Sequence, residues 1–343
     1  MKVKNYVFLT LFLTSFSSLH SWGLLQGKVR SEIAQEHNEY YTQMYLDYNP
    51  FYSGPLLAPS AYTVPKGKIN VQPYFFWQRN WGIYDRTWHR VRTRSSLQFK
   101  FLSVFQLGVT DFLDLNSTIQ AVLNRKEDQH HFGYGDTSFL VGLQLLDGIR
   151  GKAMPACKLL AGVIFPTGKY DGLLEQRLGI DATGAGSYGT TFSLNFQKNF
   201  NYLIKDTSDP KASHPFRIRW NFGYTISSNT HVKGISAYGG DKNTRGTVHV
   251  GNNLSSIFAW EYSFNRFWVF ATDWQYTFSS KSTFSGKTTE PVGTPESQNW
   301  SVAPAIEFNL NSNFAALAGA WFSLGGKNSL GFVSGVFSFT YLF

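Results

Sequence analysis

The last ten residues constrain this chain most. Ser334 to Phe343 reads SGVFSFTYLF and ends on an aromatic carboxy-terminus. Phe343, Tyr341, Phe339 and Phe337 fall at every second position, with Leu342, Thr340, Ser338 and Val336 between them. A side-chain period of two with one aromatic face describes a strand that shows one side to lipid and the other to a polar interior. Such a segment closes a transmembrane barrel. The alternative is a terminal strand of a soluble sandwich, and the rest of the chain weighs against it.

Aromatic residues make up 17% of the 343 residues and charged residues only 15%, against about 25% charged in a soluble domain. The mean hydropathy is nevertheless −0.21. Beyond the first 20 residues the longest apolar run is Phe314 to Phe322, far short of the ~18 residues a membrane helix needs. A transmembrane β-barrel reconciles these values, because half of its residues face lipid and half face water. The fold class expected is therefore all-β: an antiparallel transmembrane β-barrel of about twelve strands, ten or fourteen also fitting, with a short N-terminal helical segment.

The net charge of +9 suits a protein that meets anionic lipopolysaccharide. The Lys and Arg residues are spread along strands and loops with no compact basic helix, which argues against a nucleic-acid partner. The single Cys157 excludes an intramolecular disulfide and a multi-cysteine metal site.

Met1 to Gly23 reads as a secretory signal peptide, with Lys2 and Lys4 ahead of an apolar Tyr6–Phe16 stretch and small residues at Ser21 and Gly23. Residues 24–66 form an N-terminal segment, either a plug for the lumen or a periplasmic tail. Within it Arg30–Leu46 has helical spacing, with Ser31 placed to cap it, before Asn49, Pro50, Gly54, Pro55 and Pro59 break the pattern. The barrel occupies 67–343. Its strands are expected at 68–78, 91–107, 112–123, 137–146, 156–165, 187–197, 216–227, 247–260, 267–278, 299–310, 314–324 and 330–343. The breaks alternate in length, with long ones at 79–90, 124–136, 166–186, 228–246 and 279–298, as extracellular loops alternate with periplasmic turns. Pro73 and Pro304 fall inside strands, each removing a ladder donor, so a bulge is expected at both. Strand 314–324 is apolar on both faces, which leaves its register open.

The inward phase collects Arg92, Arg94, Lys100, Lys158, Arg217 and Arg219, and with them Asp114, Asn116, Gln120, Gln144, His249, Asn253, Glu261, Glu307 and Asn309. Lumen side chains tune selectivity in such barrels. Arg92, Arg94, Arg217 and Arg219 are thus the expected selectivity residues of an anion-tolerant passage. The other reading has these charges pairing across the barrel and filling it. Local motifs for chemistry fail. Phe165–Tyr170 lacks phosphate-loop spacing, and Gly184–Gly189 lacks the first glycine of a nucleophile elbow. His130-His131 with Asp136 reads as loop rather than metal site, since adjacent strand residues point to opposite faces. His89, His131, His231, Ser187 and Asp136 share no spacing that joins them into a hydrolase. No catalytic residue, cofactor or metal is expected.

Three short patches carry a family resemblance: Gly133-Tyr134-Gly135-Asp136-Thr137, Phe165-Pro166-Thr167-Gly168 and Thr183-Gly184-Ala185-Gly186. Arg219-Trp220-Asn221-Phe222-Gly223-Tyr224 adds a fourth. Over roughly Gly67 to Phe343 the chain resembles the outer-membrane barrels of the meta-pathway phenol-degradation and transporter family. The resemblance implies uptake of small, often aromatic or hydrophobic compounds, and carries no catalytic residues. The function expected is a bacterial outer-membrane channel for passive uptake of small molecules through a polar, Arg-rich lumen, gated by loops 166–186 and 279–298 or by the Arg30–Leu46 helix. A non-conducting surface barrel and a lipid-modifying enzyme are the alternatives. Expected partners are the small-molecule solute, outer-membrane lipids and lipopolysaccharide, and the insertion machinery reading Phe343.

Overall fold

The computed structural model describes residues 53–148, 154–200, 214–265 and 267–343. The signal peptide of 1–23 and the helix expected at Arg30–Leu46 lie outside these residues.

The strands are β1 Ile69–Tyr84, β2 Arg90–Thr110, β3 Leu113–Lys126, β4 Gln129–Tyr134, β5 Thr137–Asp147, β6 Ala156–Phe165, β7 Gly189–Phe200, β8 Phe216–Ser227, β9 Thr230–Lys233, β10 Arg245–His249, β11 Asn253–Ser263, β12 Trp268–Ser279, β13 Thr283–Lys287, β14 Ser297–Asn309, β15 Phe314–Lys327 and β16 Ser329–Leu342. All pairs are antiparallel. Strands β4 and β5 both pair with β3, β4 at Ala121–Lys126 and β5 at Leu113–Thr118, so they are two halves of one stave. With β9, β10 and β13 set apart in a separate small sheet, twelve staves remain, and pairing of β2 with β3 closes the ring. The chain ends zip together: Asn70 lies opposite Leu342, and the Phe343 N–H donates to the Ile69 carbonyl at 2.8 Å. A closed ring leaves no long edge, which is what a lipid surround demands.

The outer face follows the period of two. On β16, Phe337 and Tyr341 are exposed while Val336 and Ser338 are buried. Strand β8 presents Trp220, Phe222, Tyr224 and Ile226 outward and buries Arg217, Arg219 and Asn221. Trp77 on β1 is 63% exposed and stacks on Phe99 of β2 at 5.9 Å. Large aromatics open to the surround on staves all around the ring are the signature of a lipid-facing belt.

Both strand prolines sit in unbroken register. Across Pro73 the β1–β16 pairing runs from Val71–Tyr341 to Tyr74–Ser338 without a shift, and across Pro304 the β14–β15 pairing runs from Val302–Phe322 to Ala305–Gly319. No bulge is needed, because each proline keeps its partner on one side (Ser103 and Thr272) and the ladder lapses only on the other. Register shifts occur instead at Asn80/Gly82, Gly108/Thr110, Gln144/Leu146 and Trp300/Ser301.

The strand expected at 247–260 begins later, at Asn253. Residues Thr247–His249 belong to the three-stranded sheet β13–β10–β9 in the outer loops. His249 accordingly lies in a loop, not on the barrel wall.

Candidate functional site

The lumen has two parts. The periplasmic part is filled by the chain's own Ser53–Pro65 stretch. Its residues Leu56, Ala58 and Ala61 are at most 3% exposed. Facing it, the wall is lined by small side chains: Ala259 on β11, Ala271 on β12, Ala303 and Ala305 on β14. These leave the room that a thirteenth piece of chain requires. Leu56 packs among Phe76, Ala303, Ala305, Leu317 and Val336, and Ala58 packs on Ile257 and Ala259.

An extended segment inside a barrel must satisfy its backbone groups without a neighbouring strand. Wall side chains do this residue by residue. Glu307 accepts the Ser53 N–H at 3.1 Å, the Ser53 hydroxyl at 2.9 Å and the Gly54 N–H at 3.3 Å. Asp273 accepts the N–H groups of Leu57 and Ala58 at 3.2 and 2.9 Å. Arg219 donates to the Ala58 carbonyl at 2.8 Å and Asn221 to that of Pro59 at 3.1 Å. Gln144 donates to Ala61 O at 2.8 Å and accepts from Thr63 N–H at 2.9 Å. Lys158 donates to Tyr62 O at 2.9 Å, and Asp114 accepts from Val64 N–H at 3.1 Å.

The same wall residues pair with one another. Arg217 forms a two-point bond with Glu261, directly opposite it on β11. The Arg219 guanidinium lies 3.7 Å from the same carboxylate. Lys158 meets Asp114 at 3.3 Å. Glu261, Glu307, Asp273 and Asp114 are fully buried. Buried charges persist only where paired and hydrogen-bonded, and here much of the pairing is to backbone of the inserted segment. Gly54 has φ of 121°, and a Cβ there would stand 2.9 Å from the Arg219 guanidinium. Glycine at 54 therefore lets the segment pass close over Arg219.

The outer part is a chamber of about 490 Å³, largely open on one side, bordered by Gln98, Lys100, Gln120, Val122, Asp136, Tyr238 and loop 182–185. Three of the four patches that carry the family resemblance meet at its lid, the fourth lying on β8. The Asp136 carboxylate sits at the break between β4 and β5. One oxygen accepts the Gly168 N–H at 3.0 Å and the other the Ala185 N–H at 2.8 Å. Gly168 and Gly184 run so close that a Cβ on either would lie 2.7 Å from the other's backbone. The three glycine-containing motifs thus make one clasp that ties loop 166–188 to the wall. The lid is extended by Tyr238, whose hydroxyl donates to Ala185 O at 2.6 Å, and by Asn124, which donates to Ile180 O at 2.8 Å.

Within the lid, burial pushes the Asp181 carboxyl up. The Leu174 N–H at 3.0 Å and the Lys169 ammonium at 3.2 Å outweigh this, holding the group below its ordinary value of 3.8. Asp241, in loop 228–252, is also lowered from 3.8, first by the Thr289 hydroxyl and then by the Asn243 N–H at 2.6 Å. His131 is bonded to Arg177 of the Glu175–Arg177 turn.

The four arginines expected to set selectivity lie in two places. Arg217 and Arg219 are buried in the inner lumen against the inserted segment. Arg92 and Arg94 lie on the solvent-exposed outer end of β2, where Arg94 pairs with Glu127 at 2.5 Å. The structure does not bring the four together. Sequence reading passed over Asp273 and Tyr238, and of its two readings for residues 24–66, plug or periplasmic tail, the described Ser53–Pro65 stretch lies inside the barrel. Asp273 alternates with Trp274 and Phe270 and was readable as inward. The inserted stretch has no periodicity to reveal it.

Solved structures match this barrel with differing closeness. An outer membrane channel from Pseudomonas putida F1 matches with a TM-score of 0.60 at 11% identity, covering 84% of this chain and all of that one. The translocator domain of the autotransporter NalP from Neisseria meningitidis matches at 0.40 and 11% identity over 95% of this chain and 97% of its own. The CymD monoaromatic hydrocarbon channel matches at 0.34 and 8% identity over 82% and 89%. Only the first of these three exceeds 0.5, and at this identity it shows the shared fold. No curated protein sequence matches the chain. Residues 60–290, more than half of it, match the sequence profile of one family. The chain is an outer-membrane-type β-barrel and belongs to the family described as "Putative MetA-pathway of phenol degradation".

Proposed function

We propose that this barrel is an outer-membrane channel for passive uptake of small molecules, closed at rest by its own Ser53–Pro65 segment. The observation that carries the proposal is the mode of insertion. The segment is held by polar wall side chains acting on its backbone, in a lumen lined with small residues. On this reading its removal opens a passage whose wall carries polar groups beside small and apolar side chains. Membership of a family named for phenol degradation supports a small aromatic solute. The matched Pseudomonas putida barrel is itself an outer membrane channel.

Residues 24–66 act on this reading as the plug, and 67–343 as the pore. Arg92 and Arg94 supply positive charge at the outer mouth and favour anions there, while Arg217 and Arg219 inside share their charge with Glu261. Outer-membrane lipids and lipopolysaccharide contact the aromatic belt, and Phe343 presents the terminal strand to the insertion machinery.

The test is planar-bilayer conductance of the refolded 24–343 chain beside a form lacking 24–65. Channel steps that appear or grow several-fold on deletion support the plugged channel. Changing Arg92, Arg94, Arg217 and Arg219 to Gln is expected to lower the anion preference of those steps. Silence from both forms overturns the channel reading. It favours a second one, a closed barrel that displays its lid, to which the filled inner lumen also lends support.

A further inference from the structure

Lys100 is unlike the other cations inside the barrel. It lies on the inward face of β2, between the lipid-facing Phe99 and Phe101. Lys158 has Asp114, and Arg217 and Arg219 have Glu261. Among the described residues no carboxylate pairs with Lys100. Its ammonium stands 4.3 Å from the centre of the Phe76 ring, a cation–π contact. It borders the outer chamber, together with Gln98, Gln120, Val122 and Asp136.

The chamber's own acid does not serve as its partner. Both oxygens of Asp136 are engaged by the N–H groups of Gly168 and Ala185. The Gln98 amide donates to Asn124 at 2.8 Å and the Gln120 amide to Asp136 O at 3.1 Å. Asp136 directs its charge at the lid amides, so the wall offers at Lys100 an ammonium without an ion pair, beside Val122, Ala182, Ala237 and Tyr238. Phe76 below it packs on Leu56 of the inserted segment, so Lys100 stands where the outer chamber meets the plug.

A screened ammonium with no counter-ion is costly, and an anionic ligand removes that cost. We infer that the outer chamber binds a small organic anion, a single carboxylate or phenolate on a flat apolar body, with Lys100 as its counter-ion. One cation matches one negative charge, whereas a phosphate dianion calls for more donors than the chamber offers. The volume of about 490 Å³ falls in the range of small-molecule sites. This inference deepens the uptake reading by naming the solute class, and rests on it for its biological sense.

The test is calorimetric titration of the refolded 24–343 chain with benzoate, its neutral isostere benzamide, and inorganic phosphate. Benzoate is expected to bind at least tenfold more tightly than benzamide, about 1.4 kcal/mol. Lys100→Met keeps the length of the side chain against Phe76. It is expected to cut benzoate affinity tenfold or more and leave benzamide unmoved, and Lys100→Arg to restore benzoate binding. Heat-modified gel mobility reports folding. Should Lys100→Met not fold, Lys100→Gln takes its place with the same expectation. Equal binding of benzoate and benzamide, benzoate affinity retained without the charge, tighter binding of phosphate than benzoate, or no benzoate binding at millimolar concentration each overturns the site. The conductance assay separates the two readings. A chain that conducts but ignores benzoate loses the site and keeps the channel, and one that binds benzoate in silence does the reverse.

Discussion

The two halves of the lumen share the same staves and solve opposite problems. In the periplasmic half the buried wall charges Asp114, Lys158, Arg217, Arg219, Glu261, Asp273 and Glu307 each meet an opposite charge or a backbone group of Ser53–Val64. In the outer half the chain stays at the rim as a lid, and Lys100 is left with an aromatic face. The difference shows that polar groups in a barrel interior do not by themselves mark a water-filled path. Their partners decide: backbone amides of the same chain mark a filled region, and an unmatched charge over open volume marks a region that takes a guest.

The sharpest way to break the filled half is to remove its shared acid. Glu261→Leu leaves Arg217 and Arg219 buried without their carboxylate. Breaking a buried pair in this way costs about 4 kcal/mol. The expected outcome is a marked drop in the urea midpoint of the refolded barrel, and an unchanged midpoint means that water already reaches these groups. A gentler change tests the plug alone. Asp273→Ala takes one acceptor from two N–H groups, worth about 2–3 kcal/mol for a bond to a charged group. Hydrogen exchange at Leu57 and Ala58 should then accelerate at least tenfold while the β8 amides hold. Parallel acceleration of both would show the segment and the barrel to be one cooperative unit.

The lid of the other half is expected to answer to acid. Asp181 and Asp241 both titrate below their ordinary 3.8 in the folded chain. The folded state therefore binds fewer protons than the unfolded one in this range, and each group adds stability that is fully present above 3.8. That stability is lost as pH falls through the lower folded values. Limited proteolysis of loops 166–188 and 228–252 with an acid-active protease should stay constant down to about pH 4 and rise below it. Lid cleavage that already rises between pH 7 and 5 would point to histidine titration instead.

Much of this contrast was hidden from the sequence for identifiable reasons. The staves were legible wherever one face met lipid: 156–165 and 216–227 match β6 and β8 at both ends. The strand at 314–324 looked ambiguous because an inward face was expected to be polar. In the structure Ala315 and Leu317 point inward and are buried, Leu317 in the apolar cluster around Leu56. The same cause explains Ala303 and Ala305. The shift from 247 to Asn253 arose because a loop strand alternates with the same period as a stave. The plug's contacts use backbone N–H and C=O groups, which every residue possesses and no composition betrays. Of the four arginines, alternation placed all on one phase but could not report height, and height separates Arg217 and Arg219 from the exposed Arg92 and Arg94.

That separation yields the smallest expected effect. Arg94 and Glu127 meet at 2.5 Å with the arginine side chain 79% exposed, and exposed pairs of this kind contribute about 0–1 kcal/mol. Arg94→Ala should leave the urea midpoint where it was, in contrast to Glu261→Leu. Its influence belongs to association rather than stability, because a charge at an exposed mouth acts through long-range attraction that salt screens within ~10 Å at 0.1 M. Anion preference measured at low salt should therefore fall in Arg94→Ala and converge with the parent at high salt. If the difference persisted at 1 M salt, Arg94 would be contacting the permeating anion directly, and the outer rim would have to be counted with the chamber as part of the binding path.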